Sequence, residues 1–190
     1  VSFRPAMRDY TIFIDAISKI FAATGVRVGW SMGPATVINK MKAILTHIGA
    51  WAPMAEQKAV AYYLGRKDDI KKFLVHFKNE LEERLTRIYK GFMSMKENGL
   101  HVDAFAPEAG IYLPIKIDLV GKKTVEGKTL ETQSDVTAYI LNEAKLAVVP
   151  FYAFGSPRSS AWYRLSVGTC KKDQIDEMLL KLKEALMKLS

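Results

Sequence analysis

Residues 18–30, with the sequence Ser-Lys-Ile-Phe-Ala-Ala-Thr-Gly-Val-Arg-Val-Gly-Trp, place two cations in one short apolar loop. A lysine in a loop is usually a surface residue. Small and apolar residues flank Lys19 on both sides, however, so we expect it to be partly buried near Arg27. Burial beside a second cation favours the neutral amine, which can attack an aldehyde. Arg27 offers a planar fork of donors that suits a phosphate group.

Short strands are predicted on both sides of this loop. Residues 11–15, Thr-Ile-Phe-Ile-Asp, predict a buried strand. Val26, Val28 and Trp30 alternate with polar or small residues, which predicts a second strand. Two strands cannot form a sheet of their own with two covered faces. The pair is therefore expected to be the tail of a larger domain.

Helical spacing of apolar residues starts after the second strand. The spacing predicts a helix from Ala35 that stops at Gly49, and a second helix over residues 53–64. A third helix is predicted over residues 68–98, with an apolar stripe that continues for seven turns. This helix is long for a globular domain, so we expect it to connect two domains.

The rest of the chain mixes short strands with helices. Strands are predicted at residues 102–105, 111–117, 147–149 and 162–167, and an exposed polar loop at residues 121–133. A helix over residues 134–144 is expected to be capped by Ser134 and Asp135, and a last amphipathic helix opens at Asp173. These patterns predict an α+β second half.

The composition indicates a globular protein and argues against nucleic-acid-binding, membrane and secreted classes. Of 190 residues, 49% are hydrophobic and 25% charged, which is ordinary for a globular chain. The formal net charge is +8, yet the basic residues alternate with acids, as in residues 78–84, so they are interpreted as solvated helix faces. No apolar run is long enough to span a membrane, and no secretion signal is visible. The first residue is not methionine, so a processed or cut chain is expected. Cys170 is the single cysteine, which excludes an internal disulfide and fits a reducing compartment, the cytoplasm.

Arg164 interrupts an apolar strand in residues 162–168, Trp-Tyr-Arg-Leu-Ser-Val-Gly. We expect it to point inward, where an unpaired charge is costly. The residues leave open whether its anionic partner is a protein carboxylate or the carboxylate of a ligand.

Residues 18–30 resemble the cofactor-lysine signature of class I and II aminotransferases, which are fold-type I pyridoxal phosphate enzymes. That signature is Ser-Lys, then an aromatic residue, then Thr-Gly-x-Arg-x-Gly. Residues 107–112, 149–155 and 163–166 are similar to three later motifs of the family, in the family's order. The resemblance covers the whole chain but only the C-terminal half of the family's length. The overall pattern looks most like bacterial aspartate aminotransferases.

The resemblance implies a fold and a domain division. It implies an α/β and α+β architecture, the end of the large cofactor-binding domain followed by the small C-terminal domain. Residues 1–75 would be the remnant of the large domain and residues 76–190 the small domain, joined by the helix over about residues 68–98.

The resemblance also implies roles for three residues. Lys19 would be the Schiff-base lysine of pyridoxal 5'-phosphate and the group that moves the proton. Arg27 would bind the cofactor phosphate, and Arg164 the substrate α-carboxylate. The partners implied are an amino acid, with aspartate as our choice, and a 2-oxo acid. The parent protein is expected to be a cytoplasmic homodimer that binds no metal, nucleic acid or membrane.

The chain departs from the family pattern at several positions. Ala16 stands where the family often has a serine, and Phe151 where it has a glycine. The family's ring and phosphate partners lie upstream of the lysine, so the isolated chain is expected to be inactive. His47 and Lys58 are the candidates for selecting a second carboxylate. Alternatives are another fold-type I enzyme, such as a lyase, synthase or decarboxylase, and a non-catalytic binding or assembly module.

Overall fold

The computed structural model describes residues 4–168 and 170–190, which form two compact units. The first unit extends to His76, and the second is Phe77–Ser190. Within the described part of the chain, none of the helices combines the length and apolar character that a membrane crossing requires.

The first unit contains a two-stranded antiparallel sheet of β1 (Phe13–Ala16) and β2 (Gly29–Met32). The expected burial of the first strand is wrong, because Ile14 is 73% exposed. Side chains of a strand are buried only where another layer packs on that face of the sheet, and the exposure of Ile14 shows that its face is not covered by the described residues. The second strand also begins later than expected, since Val26 lies in a 3-10 turn, Thr24–Val26.

Two helices follow the hairpin. Helix α2 is Ala35–Ile48, and it ends at Gly49 with a φ of 65°. That conformation is easily adopted by glycine, so the predicted stop is confirmed. Helix α3 is Met54–Leu64 and starts directly after Pro53, also as predicted. The core of the first unit is small, and its buried members are Ile17, Val28 and Val60.

Helix α4, Lys67–Glu97, confirms the predicted long helix and contains the boundary between the two units. Asp68 and Asp69 lie in its first turn, where the helix dipole favours negative charge. Its buried residues recur every three or four positions and all lie in the second unit: Leu81, Leu85, Ile88, Phe92 and Met95. This stripe is one wall of the larger core.

The second unit is built on a four-stranded antiparallel sheet with the order β3-β4-β6-β5. The strands are β3 (Val102–Ala104), β4 (Tyr112–Ile117), β5 (Val149–Pro150) and β6 (Trp162–Ser166). Strand β6 is an inner strand, with β4 on one side and β5 on the other. Alternate residues of β4 are buried in the core, namely Leu113, Ile115 and Ile117, each 0% exposed.

Helices α5 (Gln133–Glu143) and α6 (Asp173–Met187) also contribute to this core. The expected cap at Ser134 is wrong. Thr132 is the N-cap, and its side chain accepts from the Asp135 backbone N–H while the Asp135 carboxylate accepts from the Thr132 N–H. The preceding loop is also less exposed than predicted, because Leu130 is 2% exposed and anchors it to the core.

Candidate functional site

Lys19 lies on a single helical turn, α1 (Ile17–Ile20), directly after β1. Ile17 fixes this turn, because its side chain is 5% exposed and its N–H donates to the Val28 carbonyl at 3.2 Å. Residues two positions apart point to nearly opposite sides of a helix. Lys19 is therefore exposed, and the expectation of partial burial is wrong for this chain.

Arg27 ends the same loop in the left-handed region, with a φ of 59°. A residue with a Cβ is uncommon in this conformation, and holding it there costs about 1–3 kcal/mol. Its Nη1 donates to the Thr24 carbonyl at 2.8 Å, which folds the exposed side chain back over the 3-10 turn. A guanidinium has five N–H donors, so this bond leaves donors for an anion.

The hairpin brings Lys19 and Arg27 into one loop, closed by the pairing of Ala16 with Gly29. A Cβ on Gly29 would lie 3.0 Å from the Asp15 carbonyl oxygen and 3.3 Å from the Ala16 Cβ. Since a backbone oxygen cannot move aside as a side chain can, glycine is favoured at the base of the loop. This accounts for the last glycine of the pattern in residues 18–30.

Arg164 lies in the second unit, at the centre of β6. Its neighbours Tyr163 and Leu165 are 0% and 4% exposed and belong to the core. Arg164 therefore lies on the other face of the sheet, half-buried, and the expectation that it points inward is wrong. Across residues 4–168 and 170–190, no carboxylate forms an ion pair with it. The sequence left open whether the partner of Arg164 is a protein carboxylate or a ligand carboxylate. A protein carboxylate among the described residues is now excluded.

Two aromatic rings contact Arg164 instead. The guanidinium carbon lies 4.3 Å from the centroid of the Tyr112 ring and 4.4 Å from that of Phe154. Such contacts are favourable within about 6 Å. Sequence reasoning missed both partners. One of them, Tyr112, could have been suspected from the sequence. An aromatic residue on a neighbouring strand can reach a cation that lies diagonally across the pair of strands.

The strand that carries Arg164 is fixed from the core side by a buried polar pair. The Tyr163 hydroxyl donates to Gln133 Oε1 at 2.8 Å, and Gln133 is itself buried. Burial raises the pKa of Tyr163 to about 12, so its hydroxyl stays neutral at physiological pH. In the described residues, no group of three metal-binding side chains lies close enough together to hold an ion.

The sequence of this chain is similar to those of known aminotransferases. The model of the family "Aminotransferase class I and II" matches residues 4–182. A probable aspartate/prephenate aminotransferase of Rickettsia typhi is 27% identical over 95% of this chain and 43% of its own length. An aspartate aminotransferase of Rhizobium meliloti is 29% identical over 98% of this chain and 41% of its own length.

Solved structures agree with this match. The crystal structure of the aspartate aminotransferase from Rhizobium meliloti has a TM-score of 0.82 and 28% identity, and the match covers 98% of this chain and 44% of that one. The predicted α/β and α+β architecture is thus confirmed. The chain spans less than half the length of these relatives. It belongs to the class I and II aminotransferase family.

Proposed function

We propose that the chain is the C-terminal part of a pyridoxal 5'-phosphate-dependent aminotransferase that exchanges an amino group between aspartate and a 2-oxo acid. The observation that carries the proposal is the loop with Lys19 and Arg27, inside the segment matched by the family model. The names of the Rhizobium meliloti and Rickettsia typhi relatives support aspartate as the amino acid.

The donor set of this loop fits the cofactor. A primary amine complements an aldehyde, and a guanidinium complements a phosphate. Lys19 would hold the aldehyde end and Arg27 the phosphate. When bound, the cofactor supplies the electron sink that stabilises negative charge at the substrate α-carbon.

The remaining steps are proposed for the chain's own side chains. Lys19 Nζ would take the proton from the α-carbon of the amino acid and would deliver it to the cofactor carbon that carries the aldehyde. Arg164 binds the α-carboxylate with two parallel N–H···O bonds. The bond from Arg27 Nη1 to the Thr24 carbonyl uses one guanidinium donor, and the remaining donors would bind the phosphate.

We also propose the domain division that the resemblance implies. Residues 1–75 would complete the large cofactor domain, and residues 76–190 would be the small domain. Two observations support this: the chain divides between His76 and Phe77, and the first unit leaves large apolar residues exposed. Trp51 and Ile48 are 61% and 65% exposed, and such surface is normally covered by further protein. We propose that the parent protein is a cytoplasmic homodimer.

Selection of aspartate needs a cation for its second carboxylate. His47 on α2 and Lys58 on α3 stay our candidates, and both are exposed in the first unit. Exposure is compatible with this role, because the rest of the large domain would surround both residues in the parent protein.

The test is an assay of the parent protein with the sequence upstream of residue 1 restored. With aspartate and 2-oxoglutarate we expect glutamate and oxaloacetate, and with prephenate as acceptor a second measurable rate. The Lys19→Ala variant is the control and should form neither product. If the parent makes no glutamate from aspartate, the aspartate proposal is wrong. The 190-residue chain alone should show no turnover.

A further inference from the structure

We infer that Tyr112 and Phe154 are positioning residues that orient the Arg164 guanidinium for a carboxylate ligand. The inference rests on the proposed function in one respect, the assignment of a ligand carboxylate to Arg164. Contacts with the two rings would hold the Arg164 side chain, which has no described anionic partner, in one orientation.

The two rings lie on either side of β6, one at the start of β4 and the other in the turn that follows β5. Tyr112 opens β4, and its register partner in β6 is Ser166, two residues from Arg164. Tyr112 is therefore a diagonal neighbour of Arg164, at a spacing that aromatic and long side chains can bridge. Its ring centroid lies 4.3 Å from the guanidinium carbon.

Phe154 reaches Arg164 from the β5 side. Strand β5 pairs Val149 with Arg164, and the chain then forms a 3-10 turn, Phe151–Phe154. Gly155 ends this turn with a φ of 94°, and its N–H donates to the Tyr152 carbonyl at 3.2 Å. The glycine conformation sets the direction of the turn and so brings Phe154 to within 4.4 Å of the guanidinium carbon.

Rings that pack on the face of the Arg164 guanidinium would leave its hydrogen-bonding edge for a ligand. Aromatic rings interact with the flat face of a guanidinium, whereas carboxylates bind its N–H edge. Arg66 is a useful contrast within the same chain. Its guanidinium carbon lies 5.9 Å from the Tyr62 ring, and its Nε pairs with the Asp69 carboxylate at 2.5 Å. The Arg66 edge is already occupied, and that of Arg164 has no such partner in the described residues.

The rings contribute little to the core, which makes them suitable for substitution. Phe154 is 56% exposed and Tyr112 36% exposed. Large aromatic residues at such positions are not explained by core packing. Their shared feature is the contact with Arg164, and restricting that side chain beforehand lowers the entropy cost of binding a ligand.

The experiment uses nuclear magnetic resonance on the 190-residue chain, with the Arg164 Nε–Hε signal assigned by its loss in Arg164→Lys. In the free chain we expect this signal to be displaced by the ring currents of both aromatic residues and to lose the part that Phe154 causes in Phe154→Leu. On titration with L-aspartate the signal should move and saturate. The dissociation constant should rise on the order of five-fold in Phe154→Leu, from the strength of such contacts.

Conservative variants separate positioning from a general structural effect. Phe154→Tyr and Tyr112→Phe keep a ring and should bind L-aspartate as the unchanged chain does. Phe105→Leu is the matched control, because Phe105 is 58% exposed on the same unit but stacks on Trp162, with 4.6 Å between ring centroids. It should leave the Arg164 signal and the affinity unchanged.

Three outcomes overturn the inference. Unchanged affinity in Phe154→Leu, or equal loss in Phe154→Tyr and Phe154→Leu, removes positioning and leaves the carboxylate role of Arg164 intact. No saturating shift in the unchanged chain removes both the positioning and the carboxylate role. Failure of the proposed aminotransferase activity would appear separately, as an absence of glutamate in the assay of the parent protein.

Discussion

The hydrogen bond between the buried side chains of Tyr163 and Gln133 should contribute measurably to the stability of the second unit. Tyr163→Phe keeps the ring and removes the donor to Gln133 Oε1, a bond of 2.8 Å between two buried residues. A buried acceptor left without its donor costs about 1–3 kcal/mol. We therefore expect the free energy of unfolding of the second unit to fall by about 1–3 kcal/mol in this variant.

The assay is urea denaturation of the 190-residue chain, followed by hydrogen exchange of the β4 and β6 peptides so that the second unit is reported by itself. With a slope of about 1–3 kcal/mol per molar urea, the midpoint should fall on the order of 1 M. The double variant Tyr163→Phe/Gln133→Leu removes both polar groups and should recover at least half of the loss. Tyr112→Phe removes a hydroxyl from an exposed ring and is the control. A Tyr163→Phe chain as stable as the unchanged one would refute the reasoning.

Further predictions concern pH, capping and substrate binding. Burial raises the pKa of Tyr163 from 10.0 to about 12, so the stability linked to this group is complete below pH 10 and is lost as pH rises through about 12. The advantage of the unchanged chain over Tyr163→Phe should therefore shrink across that range in urea titrations. Thr132→Ala removes the N-cap of α5 and should cost about 1 kcal/mol in the same assay. Arg164→Lys tests the proposed carboxylate contact in the parent protein: lysine cannot donate two parallel bonds, so steady-state kinetics should show KM for aspartate raised on the order of ten-fold.

Elements governed by local chemistry could be predicted from the sequence. Helix α2 followed from apolar spacing and a glycine stop, and Gly49 adopts the left-handed conformation. Helix α4 followed from its apolar stripe and the paired acids at its start. The capping residue of α5 was misplaced because Ser134 and Thr132 are both good N-caps, and only Thr132 leaves Asp135 at the third helical position.

Features that depend on distant residues could not be predicted. The exposure of Ile14 and Lys19 depends on what covers the first hairpin, and the chain's own residues cover it sparsely. The partners of Arg164 depend on the register of β4 against β6 and on the turn after β5. The local spacing of apolar and polar residues predicts neither feature. The motif located the arginine, but the cross-strand geometry decides what holds it.

The central claim is that Lys19 is the residue that holds the cofactor. Its most direct test is borohydride reduction of the parent protein with pyridoxal 5'-phosphate, followed by peptide mass spectrometry. We predict one phosphopyridoxyl group per chain, on the peptide that contains Lys19, and its loss in Lys19→Ala. Stoichiometric labelling of a different lysine, with Lys19 unmodified, would contradict the account.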